Sequence, residues 1–211
     1  MTRTAVRHLY VARHAEAAGE ADGAGLTENG RRQAVLLGER LRDVPFDAVH
    51  HGPLPRAAQT ARLVREQLRS ADVPLYASKP AGDYVPYVPR REELPSGSAD
   101  RLLGFVEAVP EDERAHGSDL ARDAVARFTG YAEGDEPRHE LVVTHAFLAA
   151  WLVRDALDAP AWRWMGLNHG NAALTVLRYT PGRPAALVVV NDMCHLPADL
   201  RWTGFPAELR G

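Results

Sequence analysis

The chain holds one cysteine, Cys194, and one lysine, Lys79, among its 211 residues. A single thiol closes no intramolecular disulfide, and no ligand pattern beside it completes a cysteine-based zinc site. A disulfide-framed secreted scaffold is therefore excluded. Long apolar runs are missing too: none approaches membrane-spanning length, and Met1 to His8 is polar where a secretory leader needs an apolar stretch. A soluble, cytoplasmic protein that engages no membrane is the expectation. Basic blocks are also absent. The formal net charge is -3 and the pI is near 6.3, so no nucleic-acid partner is expected. Arginine carries almost all of the positive charge; anion binding would favour that choice, although the codon usage of a GC-rich genome explains it more simply.

What is present is an ordinary globular composition, 45% hydrophobic and 25% charged, long enough for one α/β domain with an ample core. The stretch Leu9-Tyr10-Val11-Ala12-Arg13-His14-Ala15-Glu16 is an apolar run that stops on an arginine and a histidine. Such a run reads as a buried parallel strand, and Arg13 and His14 then stand at its C-terminal end, where open α/β sheets place their ligand sites. A glycine-rich loop follows, then a helix with Thr27 as N-cap and Ala34, Leu37 and Leu41 on its apolar face. Phe46 to His51 reads as a second strand. Gly52-Pro53-Leu54-Pro55-Arg56 turns into a helix whose first turn holds Arg56, where backbone N–H groups already favour an anion and a guanidinium adds a fork matched to phosphate oxygens.

From Pro74 to Gly117 prolines interrupt the pattern, and only Arg101 to Val109 reads as helix. A segment of this kind in a compact domain is a lid or specificity insert, expected at about 78–116. It holds Asp83 beside Tyr84 and Tyr87, an acid among aromatics and prolines. Ser118 caps the next helix. Leu141-Val142-Val143-Thr144-His145 then repeats the opening arrangement, an apolar strand that ends on a histidine and runs at once into an apolar helix. Ala173 to Tyr179 and Ala185 to Val190 form a hairpin around Pro181-Gly182, which requires an antiparallel strand, expected at the sheet edge. Trp162, Trp164 and Met165 read as core or interface anchors, the second compatible with a homodimer. The adjacent His50 and His51 point to opposite faces of a strand and make a poor chelate, and no His-Glu-x-x-His run occurs, so no metal is expected.

With Arg13-His14, Gly52-Pro53-Leu54-x-Arg56-Ala57-x-Gln59-Thr60-Ala61 and Val143-Thr144-His145 in place, the sequence resembles the histidine phosphatase superfamily, also called phosphoglycerate-mutase-like, over nearly its whole length. Asp83-Tyr84-Val85-Pro86-Tyr87-Val88-Pro89 is similar to a stretch of the branch that contains a mitochondrial serine/threonine protein phosphatase. Three small departures stand out: Ala15 and Ala146 where glycines are common, and Gly52 where a serine often begins the second block.

The resemblance implies a three-layer α/β/α sandwich with a mostly parallel sheet and one antiparallel edge strand, folded as a single domain over 1–211. It implies a metal-independent phosphomonoester hydrolase without cofactor, acting on a phosphorylated metabolite or a phosphoprotein. His14 is the implied nucleophile, forming a phosphohistidine, with Arg13, Arg56 and a protonated His145 around the phosphoryl oxygens. Asp83 is the implied general acid, for which it must be protonated in the substrate complex, with a pKa raised by its apolar neighbours or by substrate phosphate; Glu107, Glu111 and Glu113 are alternative acids. Tyr84, Tyr87 and Arg90 are expected to touch the substrate body. A phosphoglycerate-type mutase and a non-catalytic phosphate-binding module are the other readings the residues allow.

Overall fold

The structure, a computed structural model, describes residues 3–19, 21–70 and 72–205. A short strand β1 (Thr4–Ala5) leads into β2 (Arg7–Arg13). In β2 the alternation of a strand covered on both faces is visible: Leu9 and Val11 enter one core, Tyr10 and Ala12 the other. Helix α1 (Glu28–Leu41) starts where Thr27 Oγ1 accepts the Gly30 N–H at 2.9 Å, the expected cap. Strand β3 (Ala48–His51) is followed by α2 (Pro55–Gln67), whose first position is taken by Pro55, a residue without the N–H that would be unpaired there.

Strand β4 (Leu75–Ala77) ends the regular alternation. The segment beyond it holds more structure than its prolines predict: two 3-10 turns at Lys79–Ala81 and Arg91–Glu93, α3 (Ala99–Glu107) and α4 (Glu111–Ala115). Helix α5 (Gly117–Phe128) follows α4 so closely that His116 takes the cap position and Ser118, the expected cap, falls inside the first turn. Then come β5 (Ala132–Glu133), which pairs with β1, β6 (Arg138–Thr144), α6 (Ala146–Ala156), β7 (Leu174–Tyr179) and β8 (Ala186–Asp192).

The main sheet has the order β4-β3-β6-β2-β7-β8. Its first four strands are mutually parallel, whereas β7 pairs antiparallel with both β2 and β8. The antiparallel strand therefore lies one place in from the edge rather than at it. One side of β7 is taken by β2, so the hairpin can fold β8 only onto the other side. Helices α1 and α2 cover one face through Leu37, Leu41 and Val64, and α5 and α6 cover the other through Phe128, Leu148 and Leu152. This is the three-layer α/β/α arrangement. Trp164 and Met165 are core residues, and Trp162 is half-buried.

Register is what assembles the site. Arg13 of β2 lies level with Thr144 of β6, and Val143 lies level with His51 of β3. Three chain segments thus leave the sheet at one edge, side by side, carrying His14, Gly52 and His145.

Candidate active site

His14 is the best-held residue of that edge. Its N–H donates to the Thr144 carbonyl at 2.7 Å, and its own carbonyl accepts from Asn171 Nδ2 at 3.0 Å and from the Ala172 N–H at 3.3 Å. Its Nδ1 lies 2.8 Å from the Ala15 carbonyl. A carbonyl can only accept, so Nδ1 carries the hydrogen, and Nε2 of the neutral ring keeps its lone pair. Burial, then the nearby His145 and Arg13, hold the His14 pKa well below its ordinary value, against a smaller opposing effect of the Ala15 carbonyl. The ring is therefore unprotonated near neutral pH, with its Nε2 lone pair available.

Two guanidiniums stand in the same cleft. Arg13 donates through one nitrogen to the carbonyls of His169, at 2.8 Å, and Gly204, at 3.0 Å, while its Nε is buried without a partner. Burial pulls its pKa down to about 10, Asp83 opposing, which leaves it charged at neutral pH. Arg56, in the first turn of α2, donates to Asp83 Oδ2 at 3.0 Å and more weakly to the Ala21 carbonyl at 3.3 Å. Thr60, one helical turn on, ties α2 to the nucleophile's loop: its Oγ1 accepts the Ala15 N–H at 3.0 Å and donates to the Arg56 carbonyl at 2.7 Å.

His145 caps α6 and is fully buried, its ring centroid 4.9 Å from that of His14. Nδ1 sits 3.1 Å from Asp83 Oδ2 without hydrogen-bond alignment, and neither ring nitrogen completes a hydrogen bond. A buried donor left without a partner costs stability unless a ligand fills the place. Gly52 is required beside it: a Cβ there would stand 2.4 Å from the Ala81 carbonyl and 3.3 Å from His145 Nε2. The serine common at this position in the family has no room in this backbone.

Asp83 joins the cluster, in contact with Arg56 and His145. Burial alone would raise its pKa, yet the contacts with His145 and Arg56 outweigh it and hold the carboxyl below the ordinary carboxylate range. Ion pairing, not the apolar Tyr84 and proline neighbours, governs this acid.

Of the residues expected to touch substrate, Tyr84 lines the cleft, with its hydroxyl donating to the Pro80 carbonyl at 2.7 Å. Tyr87 and Arg90 do not. Tyr87 stacks toward Trp151 and donates to Glu93, and its carbonyl accepts from Trp164 Nε1 at 3.0 Å, so it belongs to the packed cap. Arg90 is exposed and pairs with Glu92 and Glu93. Neither Glu107 nor Glu111 is among the cleft residues, and the Glu113 side chain lies outside the described residues. Residues the sequence reading missed are Lys79, Leu120 and Phe147, which line the cleft, and Asn171, which holds the His14 carbonyl. Asn171 carried no signal, because only the fold brings it back to β2. Among the described residues, no group of three or more His, Cys, Asp or Glu is placed to hold a metal ion.

Comparison with known proteins gives an independent line. A family profile described as "Histidine phosphatase superfamily (branch 1)" matches residues 9–79 and 90–192, skipping the stretch that holds Asp83. The chain is 29% identical over 197 residues to the mitochondrial serine/threonine-protein phosphatase Pgam5 of Caenorhabditis briggsae, covering 92% of this chain and 65% of that protein. It is also similar to a solved structure of YhfR from Bacillus stearothermophilus (TM-score 0.64, 22% identity, covering 90% of this chain and 98% of the other). A putative α-ribazole-5'-P phosphatase from Escherichia coli gives a TM-score of 0.64 and 24% identity, covering 88% and 96%. The chain spans just under two thirds of the length of the first curated relatives it matches. These relatives overturn the expected cytoplasmic location, since their names place them in mitochondria. A lone thiol closes no internal disulfide in any compartment, so it does not tell one compartment from another. No helix among the described residues is long and apolar enough to cross a membrane.

Proposed function

Because the chain belongs to branch 1 of the histidine phosphatase superfamily, we propose that it is a metal-independent phosphomonoester hydrolase working through a phosphohistidine on His14. The observation that carries this reading is the fixed imidazole: Nδ1 is held on the Ala15 carbonyl, so Nε2 is free to attack. Arg13, Arg56 and His145 line the same cleft and supply donors for a phosphoryl group.

In the first step His14 Nε2 bonds to phosphorus as the bond to the ester oxygen breaks. The departing alkoxide takes a proton from Asp83. In the second step water attacks the phosphohistidine, gives its proton to Asp83, and releases phosphate with His14 restored. Arg13, Arg56 and His145 stabilise the equatorial oxygens, where most of the charge of such a transition state lies. The lowered pKa of Asp83 fits this cycle once substrate is included. An incoming phosphate competes for Arg56, removes the carboxylate's ion pair and sets a second negative charge beside it; both changes drive protonation. Asp83 is thus an acid armed by its substrate. The segment at about 78–116 acts as the lid, since Lys79, Asp83, Tyr84 and Val109 reach the cleft from it.

The test is p-nitrophenyl phosphate hydrolysis in EDTA by the wild type and by His14→Ala. Turnover by the wild type and a loss of at least about 1,000-fold in the variant are expected. Full activity in His14→Ala overturns the assignment, and loss of wild-type activity in EDTA overturns metal independence.

A further inference from the structure

We propose that the cleft, taken as the phosphatase site argued above, selects phosphomonoesters with an apolar, uncharged body and turns away those bearing a second anionic group. The phosphate end holds Arg13, His14, Arg56 and His145. Away from it the lining changes character. Tyr84, Val109, Pro110, Leu120 and Phe147 line the same cleft, contributed by the lid, the α3–α4 junction, α5 and α6.

Aromatic rings pack on one another behind this wall. Phe147 lies edge-to-face on Trp164, ring centroids 5.0 Å apart, and in a second edge contact with Phe105 at 5.8 Å. Tyr84 has its hydroxyl hydrogen engaged by the Pro80 carbonyl, so it offers a ligand its ring and no hydrogen-bond donor. The cleft measures about 1120 Å³, far more than a phosphate needs, and an apolar body entering it gains from leaving water.

The remaining charges decide against anionic substrates. Outside the phosphate cluster the lining carries two carboxylates, Glu16 and Asp22, and one ammonium, Lys79. Two carboxylates against one ammonium leave this part of the lining net negative, so a carboxylate or second phosphate on the substrate is repelled more than it is held. This arrangement fits a neutral apolar ester and disfavours a phosphoglycerate.

The experiment compares three primary-alkyl esters whose leaving groups are chemically alike: 2-phenylethyl phosphate, ethyl phosphate and 3-phosphoglycerate. Expected kcat/KM is about 100-fold higher for the phenylethyl than for the ethyl ester, from burial of one ring. The value for 3-phosphoglycerate is expected at least about 10-fold below that for ethyl phosphate. Phe147→Ala and Leu120→Ala are each expected to reduce the phenylethyl-to-ethyl ratio about 10-fold; a ratio is insensitive to the fraction of folded enzyme. Equal kcat/KM for the two alkyl esters, a ratio unmoved by both substitutions, or 3-phosphoglycerate as the best of the three each overturns the selectivity while leaving the phosphatase reading intact. No turnover of any ester overturns the phosphatase reading and this one with it.

Discussion

Arg13 donates to the carbonyl of Gly204, so the phosphate end of the cleft is fastened to a segment 191 residues further along the chain. Glycine suits position 204, because any side chain there would press on both Arg13 and Asn171. Its φ is +72°, and a Cβ would come within 2.2 Å of Asn171 Oδ1 and 2.8 Å of the Arg13 guanidinium. Asn171 in turn donates its N–H to the Thr203 carbonyl and its side-chain amide to the His14 carbonyl. One backbone turn therefore holds both Arg13 and His14 in place.

Gly204→Ala is expected to weaken competitive inhibition by vanadate about 10-fold or more, because the new methyl displaces either Arg13 or Asn171. The inhibition constant is read beside the thermal midpoint. A variant that melts lower but binds vanadate like the wild type would assign the turn to stability alone.

Asp83→Asn removes the carboxyl proposed as the proton donor but keeps a side chain of the same size. Expected is a loss in kcat of about 100- to 10,000-fold for ethyl phosphate, whose alkoxide needs the proton, and a much smaller loss for p-nitrophenyl phosphate, whose leaving group does not. Equal losses for the two esters would mean that Asp83 serves the site through its contacts with Arg56 and His145 and not as an acid.

The buried histidines make stability depend on pH. Burial pulls His169 down to about 4, the Leu167 carbonyl opposing and Arg13 assisting, and burial likewise takes His195 to about 4. Unfolded, each titrates at its ordinary value near 6.5. Between those limits the unfolded chain binds protons that the folded one refuses, so stability is fully present above the unfolded pKa and is lost as pH falls toward 4. The slope is at most about 1.4 kcal/mol per pH unit for fully buried His169, and less for His195, which keeps some solvent contact. Urea unfolding is expected to give a flat free energy above about pH 7.5 and a falling one from pH 6.5 to 4.5. A constant value across that window contradicts this.

Much of the site was legible from the sequence because it sits where strands end. Apolar runs halting on Arg13-His14 and on His145 announce two parallel strands leaving a sheet, and Pro55-Arg56 announces a helix start. What was not legible depends on long-range return. Asn171, Thr203 and Gly204 meet Arg13 and His14 only because β7 packs against β2. Tyr87 and Arg90 were misplaced because a proline-spaced segment has no period from which to read which side chains face inward, and packing against Trp151 and Trp164 turned Tyr87 away from the cleft. The sign of the Asp83 shift was hidden for a related reason. Its neighbours in sequence are apolar, whereas those that govern it, Arg56 and His145, are 27 residues before it and on α6's cap. Thr60 left a local trace, a hydroxyl one turn after Arg56, but its second partner, the Ala15 N–H, comes from another strand's end.

The central claim is that His14 becomes covalently phosphorylated. Rapid acid or alkaline quenching of the enzyme turning over a phosphorus-labelled aryl phosphate in EDTA tests it directly. Label is expected on His14, lost in acid and kept in alkali, at a level that follows the turnover, and absent from His14→Ala. Steady turnover with no label on His14, or label on another residue, would contradict the claim.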